Sequence, residues 1–184
     1  MDNRYVKILA SGSKAPLKAT PGHFATNHAH INYYLDMTTL KTRLSEAQEI
    51  AKHLAERFLF DKVVDTIVCL EGTQVIGAYL AEELTRAGVL STNAHKTIYV
   101  ITPEYNSNSQ MVFRENILPM VRGKNVVILT AVVTTGLSLN KSIEAIQYYG
   151  GKLQSAAAVF STLDELNGCP ITSIYSPADV TDYI

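Results

Sequence analysis

Three hydroxyl side chains and a glycine follow an apolar run in the second half of the chain and form its clearest chemical pattern. The hydroxyls belong to Thr134, Thr135 and Ser138, and Gly136 lies among them. The apolar residues before this turn predict a strand over 125–129, and the spacing after it predicts a helix over 138–149. The first amides of a helix lack intrahelical partners, and glycine lets the backbone approach a ligand closely. The turn is therefore predicted to hold one phosphate group.

Two other phosphate motifs are excluded by the residues of this turn. No lysine follows Gly136, so the turn is not a Walker P-loop, and the chain has no Gly-x-Gly-x-x-Gly pattern for a dinucleotide. On spacing alone, a plain strand-to-helix turn with threonine caps explains the same residues equally well.

A second polar cluster lies near the N-terminus, where residues 22–37 contain three histidines and two asparagines. We interpret this segment as a loop and an irregular strand. His28 and His30 share one face if the segment is extended, which would suit two metal ligands, but no further ligands follow at a suitable spacing. We therefore predict no metal site, and the lining of a polar pocket and a solvated loop remain the alternatives.

The composition excludes several classes of protein. Sixteen basic and 17 acidic side chains among 184 residues leave no basic excess for binding nucleic acid. No apolar run reaches the roughly 18 residues that span a bilayer, and the first five residues contain no apolar signal-peptide core. Cys69 and Cys169 are expected to be reduced thiols. We therefore expect a cytoplasmic protein that binds a small molecule, with neither nucleic acid nor membrane as its partner.

Predicted strands and helices alternate along the chain. Further buried strands are predicted over 63–70, a short β-branched run, over 97–102, and over the apolar run 153–161. Helical spacing predicts helices over 45–58 and 75–87, the first with a capping box of Ser45 and Gln48 and the second stopped by Gly88. This alternation is typical of an α/β domain with a parallel sheet covered by helices.

The whole chain, residues 1–184, is predicted to form a single domain. Its core covers about residues 41–163, and the segments 1–40 and 164–184 are expected to cover the carboxyl edge of the sheet as a small hood, where such folds bind ligands. The polar stretch 103–123 is long for a connection between buried strands, which indicates a functional loop or a disordered one.

The turn and its neighbours resemble the type I phosphoribosyltransferase family, and the orotate branch most closely. The segment Val132-Val133-Thr134-Thr135-Gly136-Leu137-Ser138 is similar to the ribose-phosphate signature of that family. The strand that ends at Glu71-Gly72-Thr73 looks like its pyrophosphate loop. Residues 22–36 look like the stretch that lines the base pocket, and residues 103–123 stand in the place of its mobile loop. The resemblance covers about residues 20–163.

The resemblance implies a parallel sheet with a hood and a homodimer that takes part in pyrimidine nucleotide metabolism. It implies that phosphoribosyl pyrophosphate binds together with Mg²⁺ and gives its phosphoribosyl group to a nitrogenous base. It also assigns residues to four parts of the site. The phosphate loop is Val133, Thr134, Thr135, Gly136, Leu137 and Ser138; the pyrophosphate loop is Glu71, Gly72 and Thr73; the base-pocket candidates are Phe24, Asn27, His28, His30 and Tyr34; and the mobile-loop candidates are Tyr105 and Arg114.

The sequence departs from the family where the chemistry should be. Thr130 and Ala131 occupy the positions of two acidic residues that grip the ribose and stabilise positive charge on the sugar. Losing a group aimed at developing charge costs roughly 100- to 1000-fold in rate. The family's loop lysines and histidine are missing from residues 103–121, where Arg114 is the only cation, and Asn27 stands where the resemblance places an orotate-binding lysine.

Two hypotheses of function follow from the retained cradle and the missing charges. The first is a phosphoribosyltransferase of the orotate type, in which a histidine of residues 22–37 or Glu71 replaces the lost groups. The second is a catalytically impaired relative that binds a nucleotide monophosphate or phosphoribosyl pyrophosphate and has a regulatory role. A purely structural dimer would remain if no phosphate compound binds.

Overall fold

The central element of the fold is a mostly parallel sheet. The structure is a computed structural model that describes residues 5–10, 12–25, 30–86 and 91–181, with 30, 31, 58, 59 and 181 described by their backbone alone. Within these residues the sheet has six strands in the order β10-β11-β9-β8-β4-β5. They are β4 (Thr66–Cys69), β5 (Tyr99–Ile101), β8 (Asn125–Val133), β9 (Lys152–Ser161), β10 (Glu165–Leu166) and β11 (Cys169–Tyr175).

The direction of winding reverses in the middle of this sheet. All neighbouring strands pair in parallel except β10, which pairs antiparallel with β11 at one edge. From β4 the chain crosses outward to β5, and it then returns to the opposite side of β4 to form β8. A crevice therefore opens at the carboxyl ends of β4 and β8, which is where open α/β sheets bind ligands.

Helices cover both faces of the sheet. The larger ones are α2 (Leu44–Leu54), which continues as a wider helical turn over Ala55–Leu59, α3 (Gln74–Thr85) and α4 (Leu137–Tyr148). Val127 and Leu129 of β8 pack in the cluster that includes α2 and α3, whereas Val126 and Ile128 pack in the cluster that includes α4. Successive strand residues point to opposite faces, so a strand covered on both faces is apolar throughout. The predicted fold class is thus confirmed.

A smaller antiparallel sheet forms the hood. It consists of β1 (Val6–Ile8), β2 (Leu17–Ala25) and β3 (His30–Asp36), in that order. Leu17 and Ala19 of β2 are fully buried in the cluster that also holds α2 and α3. Tyr175 at the end of β11 joins this hood to the main sheet, because its hydroxyl accepts a hydrogen bond from the Ala10 amide and lies 3.1 Å from the Ile8 and Ala15 carbonyl oxygens.

Replacing Tyr175 with phenylalanine is expected to loosen the hood without removing the ring. The substitution leaves the buried Ala10 amide and two carbonyls without their shared partner. A lost buried hydrogen bond of this kind costs about 1–2 kcal/mol in the free energy of unfolding. Urea unfolding of the wild type and Tyr175→Phe measures this loss. Equal stability of the two proteins would contradict the role assigned to the hydroxyl.

Several predicted elements need correction at the N-terminal side. Residues 22–37, interpreted as a loop and irregular strand, instead contribute to β2 and β3, which pair with a register shift between Pro21 and Phe24. A short helix, α1 (Thr38–Thr42), was not predicted. The capping box is wrong: Arg43 is extended between α1 and α2 and takes the N-cap position, so Ser45 already lies inside the first turn of α2. The predicted stop of α3 at Gly88 lies outside the described residues.

The C-terminal half also differs from the prediction. The stretch 103–123 contains a hairpin of β6 (Glu104–Tyr105) and β7 (Met111–Val112) and a 3-10 turn at Leu118–Met120. The strand expected to end near Leu129 continues to Val133, because β9 pairs with it as far as Ser161. Residues 169–175 do not belong to the hood, since β11 pairs in parallel with β9 inside the main sheet. The remaining helix, α5 (Pro177–Thr181), follows β11.

Candidate functional site

The two loops predicted to bind the ligand meet at the crevice between β4 and β8. The Leu70 amide donates to the Leu129 carbonyl, which ties the end of β4 to β8. The carboxylate of the next residue, Glu71, accepts hydrogen bonds from the Ala131 and Val132 amides at 3.3 Å each. The residues assigned from sequence to the phosphate and pyrophosphate loops are therefore neighbours at the place where the fold favours ligand binding.

The phosphate loop presents an open helix end. Gly136 is the N-cap of α4 and has no side chain of its own to cap it, while the neighbouring Thr135 hydroxyl accepts a 3.4 Å hydrogen bond from the Leu137 amide. Thr134, Thr135 and Ser138 are exposed, and Leu137 is 51% exposed. The loop itself is fixed from behind, because Thr162 donates through its hydroxyl to the Thr134 carbonyl and through its amide to the Val133 carbonyl. The amides and hydroxyls of this turn, together with the positive end of α4, can bind an anion.

Gly136 has a packing role as well. Its φ of +83° lies in the left-handed region, which glycine adopts at no steric cost. A Cβ at this position would lie 3.1 Å from methyl carbons of both Leu163 and Leu166. The structure thus gives the glycine a close approach to these leucines, and its approach to a phosphate stays a prediction. The two leucines support the loop from the side of β9 and β10.

The two signature positions are closed to ligands. Thr130 is 3% exposed and Ala131 is 2% exposed, and both lie within β8, which runs on to Val133. Carboxylates at these positions in this backbone would point into the packing on the faces of the sheet rather than toward a ligand. Neither position therefore carries an acid, and β8 buries both side chains.

Glu71 brings a carboxylate to the same place from the neighbouring strand. Its φ of +55° is uncommon for a residue with a side chain, and Gly72 follows with a φ of +73°. The Lys41 ammonium donates a 2.9 Å hydrogen bond to the Glu71 carbonyl. A left-handed pair of residues, held by a cation from α1, thus turns the Glu71 side chain onto the end of β8.

Thr73, the third residue of the predicted pyrophosphate loop, is committed to the fold. It is fully buried, and its hydroxyl lies 2.7 Å from the Leu70 carbonyl oxygen and 3.2 Å from that of Leu129. The hydroxyl therefore ties β4 to β8 and is not available to a ligand in this structure.

The β6–β7 hairpin brings one of its two candidates to the site. Tyr105 lies close to Glu71: burial raises the pKa of the Tyr105 phenol, and the Glu71 charge raises that pKa further. Arg114 instead pairs with Glu104, with a 2.9 Å hydrogen bond from Nε and a 2.7 Å contact from Nη2. The only cation of residues 103–121 is thus engaged across its own hairpin.

The base-pocket candidates are only partly placed. Asn27 and His28 lie outside the described residues, and His30 is described only as the first residue of β3. The rings of Phe24 and Tyr34 pack against each other at 5.8 Å, and Tyr34 is an exposed side chain. Tyr33, on the opposite face of β3, packs edge-on against Phe160 near the end of β9. Tyr33 thus lies closer to the carboxyl ends of β8 and β9 than the predicted Tyr34.

Lys41 and Tyr33 were missed by the sequence analysis. Lys41 lies in α1, a five-residue helix without a clear periodic pattern, and its contact with Glu71 spans 30 residues. Tyr33 and Tyr34 are adjacent, and only the strand register decides which of them faces the main sheet. The alternation of a strand would have been the usable signal, had residues 30–36 been predicted as a regular strand.

The described residues do not assemble a magnesium site. No group of three or more histidine, cysteine, aspartate or glutamate side chains among them could hold a metal ion, and the two positions that could have supplied carboxylates are Thr130 and Ala131. Magnesium takes oxygen ligands and is often bound through one or two carboxylates plus substrate phosphates. Glu71 is the carboxylate that the loop after β4 brings to β8, so Mg²⁺ at this site would depend mainly on the phosphates of a ligand.

Solved structures with the same fold are phosphoribosyltransferases. The orotate phosphoribosyltransferase of Aeropyrum pernix is 18% identical with a TM-score of 0.60, and the match covers 89% of this chain and 90% of that one. The orotate phosphoribosyltransferase of Mycobacterium tuberculosis H37Rv in complex with phosphoribosyl pyrophosphate is 16% identical with a TM-score of 0.56, covering 80% and 82%. The adenine phosphoribosyltransferase of Leishmania donovani is 12% identical with a TM-score of 0.60, covering 89% and 77%.

The chain therefore has the type I phosphoribosyltransferase fold, with the main sheet and flanking helices that the resemblance implied. No family model matches the chain, and no curated protein matches its sequence significantly.

Among the described residues, no helix is long and apolar enough to cross a membrane. Cys69 and Cys169 are both free thiols and both buried. Burial raises the pKa of the Cys69 thiol to about 12.

Proposed function

We propose that this protein binds a small molecule containing ribose 5-phosphate, with the phosphate in the loop of residues 134–138. The observation that carries the proposal is the N-terminus of α4, which has a glycine at its N-cap and opens among exposed hydroxyls at the reversal point of the sheet. Helix dipole, backbone amides and hydroxyls act on the same anion there. A monoanionic or dianionic phosphate is the group for which this arrangement is best suited.

A charge substitution at Ser138 tests the proposal. Ser138 is exposed in the first turn of α4, where an acidic side chain stabilises a helix but repels a phosphate. Ser138→Asp is therefore expected to keep or raise the melting temperature while weakening the binding of ribose 5-phosphate at least about tenfold. Isothermal titration calorimetry with ribose 5-phosphate and with uridine 5′-monophosphate measures the affinity.

Ser138→Asn is the matched control, because it has a side chain of the same size without the charge. It should bind within a few-fold of the wild type. Equal binding by the Asp and Asn variants would show that the phosphate does not lie at this helix end, and the proposal would then be wrong.

Transfer of the phosphoribosyl group to a nitrogenous base is the activity that the fold and the resemblance favour. The donor would be phosphoribosyl pyrophosphate, with Mg²⁺ bound through the pyrophosphate, and orotate is the first acceptor to test. In such a reaction this chain would hold the 5-phosphate on α4, and the β6–β7 hairpin would cover the crevice. Cytoplasmic location, a role in pyrimidine metabolism and a homodimer belong to the same proposal.

A ligand-binding protein without transfer activity is the second candidate. It is favoured by the burial of Thr130 and Ala131 and by the pairing of Arg114 with Glu104, since neither signature position offers a carboxylate and the hairpin's arginine is engaged. Pyrophosphate release with phosphoribosyl pyrophosphate, Mg²⁺ and a panel of bases separates the two candidates. Binding without release supports the second, and release with any base supports the first.

A further inference from the structure

A ligand held by α4 must extend across the end of β8 toward the loop that follows β4. The first charged group it meets on this path is the Glu71 carboxylate, because that carboxylate lies on the Ala131 and Val132 amides. The amides at the end of β8 would otherwise be donors to an anionic ligand. The negatively charged Glu71 side chain therefore occupies the position that a second phosphate group would need.

The Glu71 side chain is held in this position from two sides. Its left-handed backbone conformation is sustained by Gly72 on one side of the turn and by the 2.9 Å hydrogen bond from Lys41 to its carbonyl. Residues kept in sparsely populated backbone conformations are often found at functional sites. The two amides of β8 donate hydrogen bonds to the carboxylate, so a ligand would have to displace both contacts to replace it.

The groups that could neutralise a pyrophosphate here are engaged elsewhere. Arg114 forms its pair with Glu104, and the Thr73 hydroxyl points into the fold. Lys41 is the cation that contacts this loop, and its bond to the Glu71 carbonyl places one positive charge beside one negative charge. The loop after β4 therefore presents about as much negative as positive charge to a ligand.

From this arrangement we infer that the site selects a ligand with a single phosphate, such as ribose 5-phosphate or a nucleoside 5′-monophosphate, over phosphoribosyl pyrophosphate. The ribose hydroxyls of such a ligand can donate hydrogen bonds to the Glu71 carboxylate, whereas a pyrophosphate on the same side would be repelled by it. The inference rests on the proposed function, because it assumes that the 5-phosphate lies in the loop of residues 134–138.

The test compares two ligands on three proteins by calorimetry in the presence of Mg²⁺. The ligands are ribose 5-phosphate and phosphoribosyl pyrophosphate, and the proteins are the wild type, Glu71→Gln and Glu144→Gln. Glutamine at position 71 keeps the size and one acceptor oxygen but removes the charge. Glu144, an exposed residue of α4, provides the matched control for removing a negative charge away from the end of β8.

The wild type is expected to bind ribose 5-phosphate at least about tenfold more tightly than phosphoribosyl pyrophosphate. Glu71→Gln should reduce this ratio severalfold, whereas Glu144→Gln should leave it unchanged. Tighter binding of phosphoribosyl pyrophosphate by the wild type, or the same ratio in a folded Glu71→Gln protein, would overturn the inference alone. Failure of the wild type to bind either ligand would overturn the proposed function as well. If Glu71→Gln does not fold, the ratio of the two affinities in the wild type alone tests the inference.

Discussion

Restoring the two signature acids, in the double substitution Thr130→Glu with Ala131→Asp, is expected to destabilise the protein rather than to create a transferase. Both positions are almost fully buried within β8, and the Glu71 carboxylate already lies on the Ala131 amide. Two unpaired carboxylates would enter the sheet beside a third one. An uncompensated buried charge costs about 3–5 kcal/mol, which is a large part of the stability of a domain.

The loss should depend on pH in a defined direction. Burial and neighbouring negative charge both favour the neutral acid, so the introduced groups should have raised pKa values in the folded state. A raised folded-state pKa destabilises the ionised protein, so the difference from the wild type should be largest near neutral pH and should shrink as pH falls toward about 4. Urea unfolding of both proteins at several pH values measures that difference.

Leu137→Asp is the control for this experiment, because it adds a carboxylate to the same region at an exposed position. Its position in the first turn of α4 should make it neutral or stabilising. A double variant as stable as the wild type would contradict the account of Thr130 and Ala131, and a gain of pyrophosphate release in that variant would show that only these two groups were missing.

Alanine at Gly77 should lower the stability, because α3 packs closely against β4 and β5 at this residue. A Cβ there would overlap Sγ of Cys69 and would lie 3.2 Å from Cγ1 of Val100. Overpacking of a core costs about 1–3 kcal/mol, and this cost is opposed by the roughly 1 kcal/mol that alanine gains over glycine in a helix. A net loss of up to about 2 kcal/mol is expected in urea unfolding.

Cys69→Ala provides a double-mutant cycle for the same contact. The smaller side chain removes the sulfur that the new methyl group would overlap, so Gly77→Ala should cost at least about 1 kcal/mol less in the Cys69→Ala background. Independent effects of the two substitutions would show that the sulfur does not restrict position 77. Because Thr73 is the N-cap of α3 and its hydroxyl lies 3.2 Å from the Leu129 carbonyl oxygen of β8, this packing also fixes the loop that carries Glu71.

The parts of the fold that local patterns determine were predicted correctly. The runs around Ile67 and Val127 are β-branched and the run around Val159 is apolar, and all three are short and bounded by turns, so they can be recognised as buried strands from local sequence. The turn before α4 was recognisable because small hydroxyl residues and Gly136 follow a strand directly. The residues that identify each strand, and those that identify the turn, are close together in the sequence. Neither prediction depends on a distant partner.

The features that were missed depend on contacts between distant residues. The pairing of β2 with β3 is set by register, and β11 became part of the sheet because β9 offered an open edge. The contact between Glu71 and β8 spans 60 residues, and that between Lys41 and Glu71 spans 30. No local pattern indicates either contact, although together they decide which charges face a ligand.

The burial of Thr130 and Ala131 shows the same limit at a single site. The sequence revealed that the acids were missing, but not that β8 continues through these positions to Val133. Strand ends are set by the neighbouring strand, here by the pairing of Val133 with Ser161. Thr130 and Ala131, which carry no acid, are therefore also residues that lie within β8 and are buried there.

The central claim is that the phosphate of a ribose 5-phosphate ligand lies at the N-terminus of α4. Crystals of the protein grown with millimolar ribose 5-phosphate test it most directly. The account predicts the phosphate within hydrogen-bonding distance of the backbone amides and hydroxyls of residues 134–138, with the ribose hydroxyls directed toward Glu71. A phosphate bound elsewhere on the protein, or an empty loop under these conditions, would contradict it.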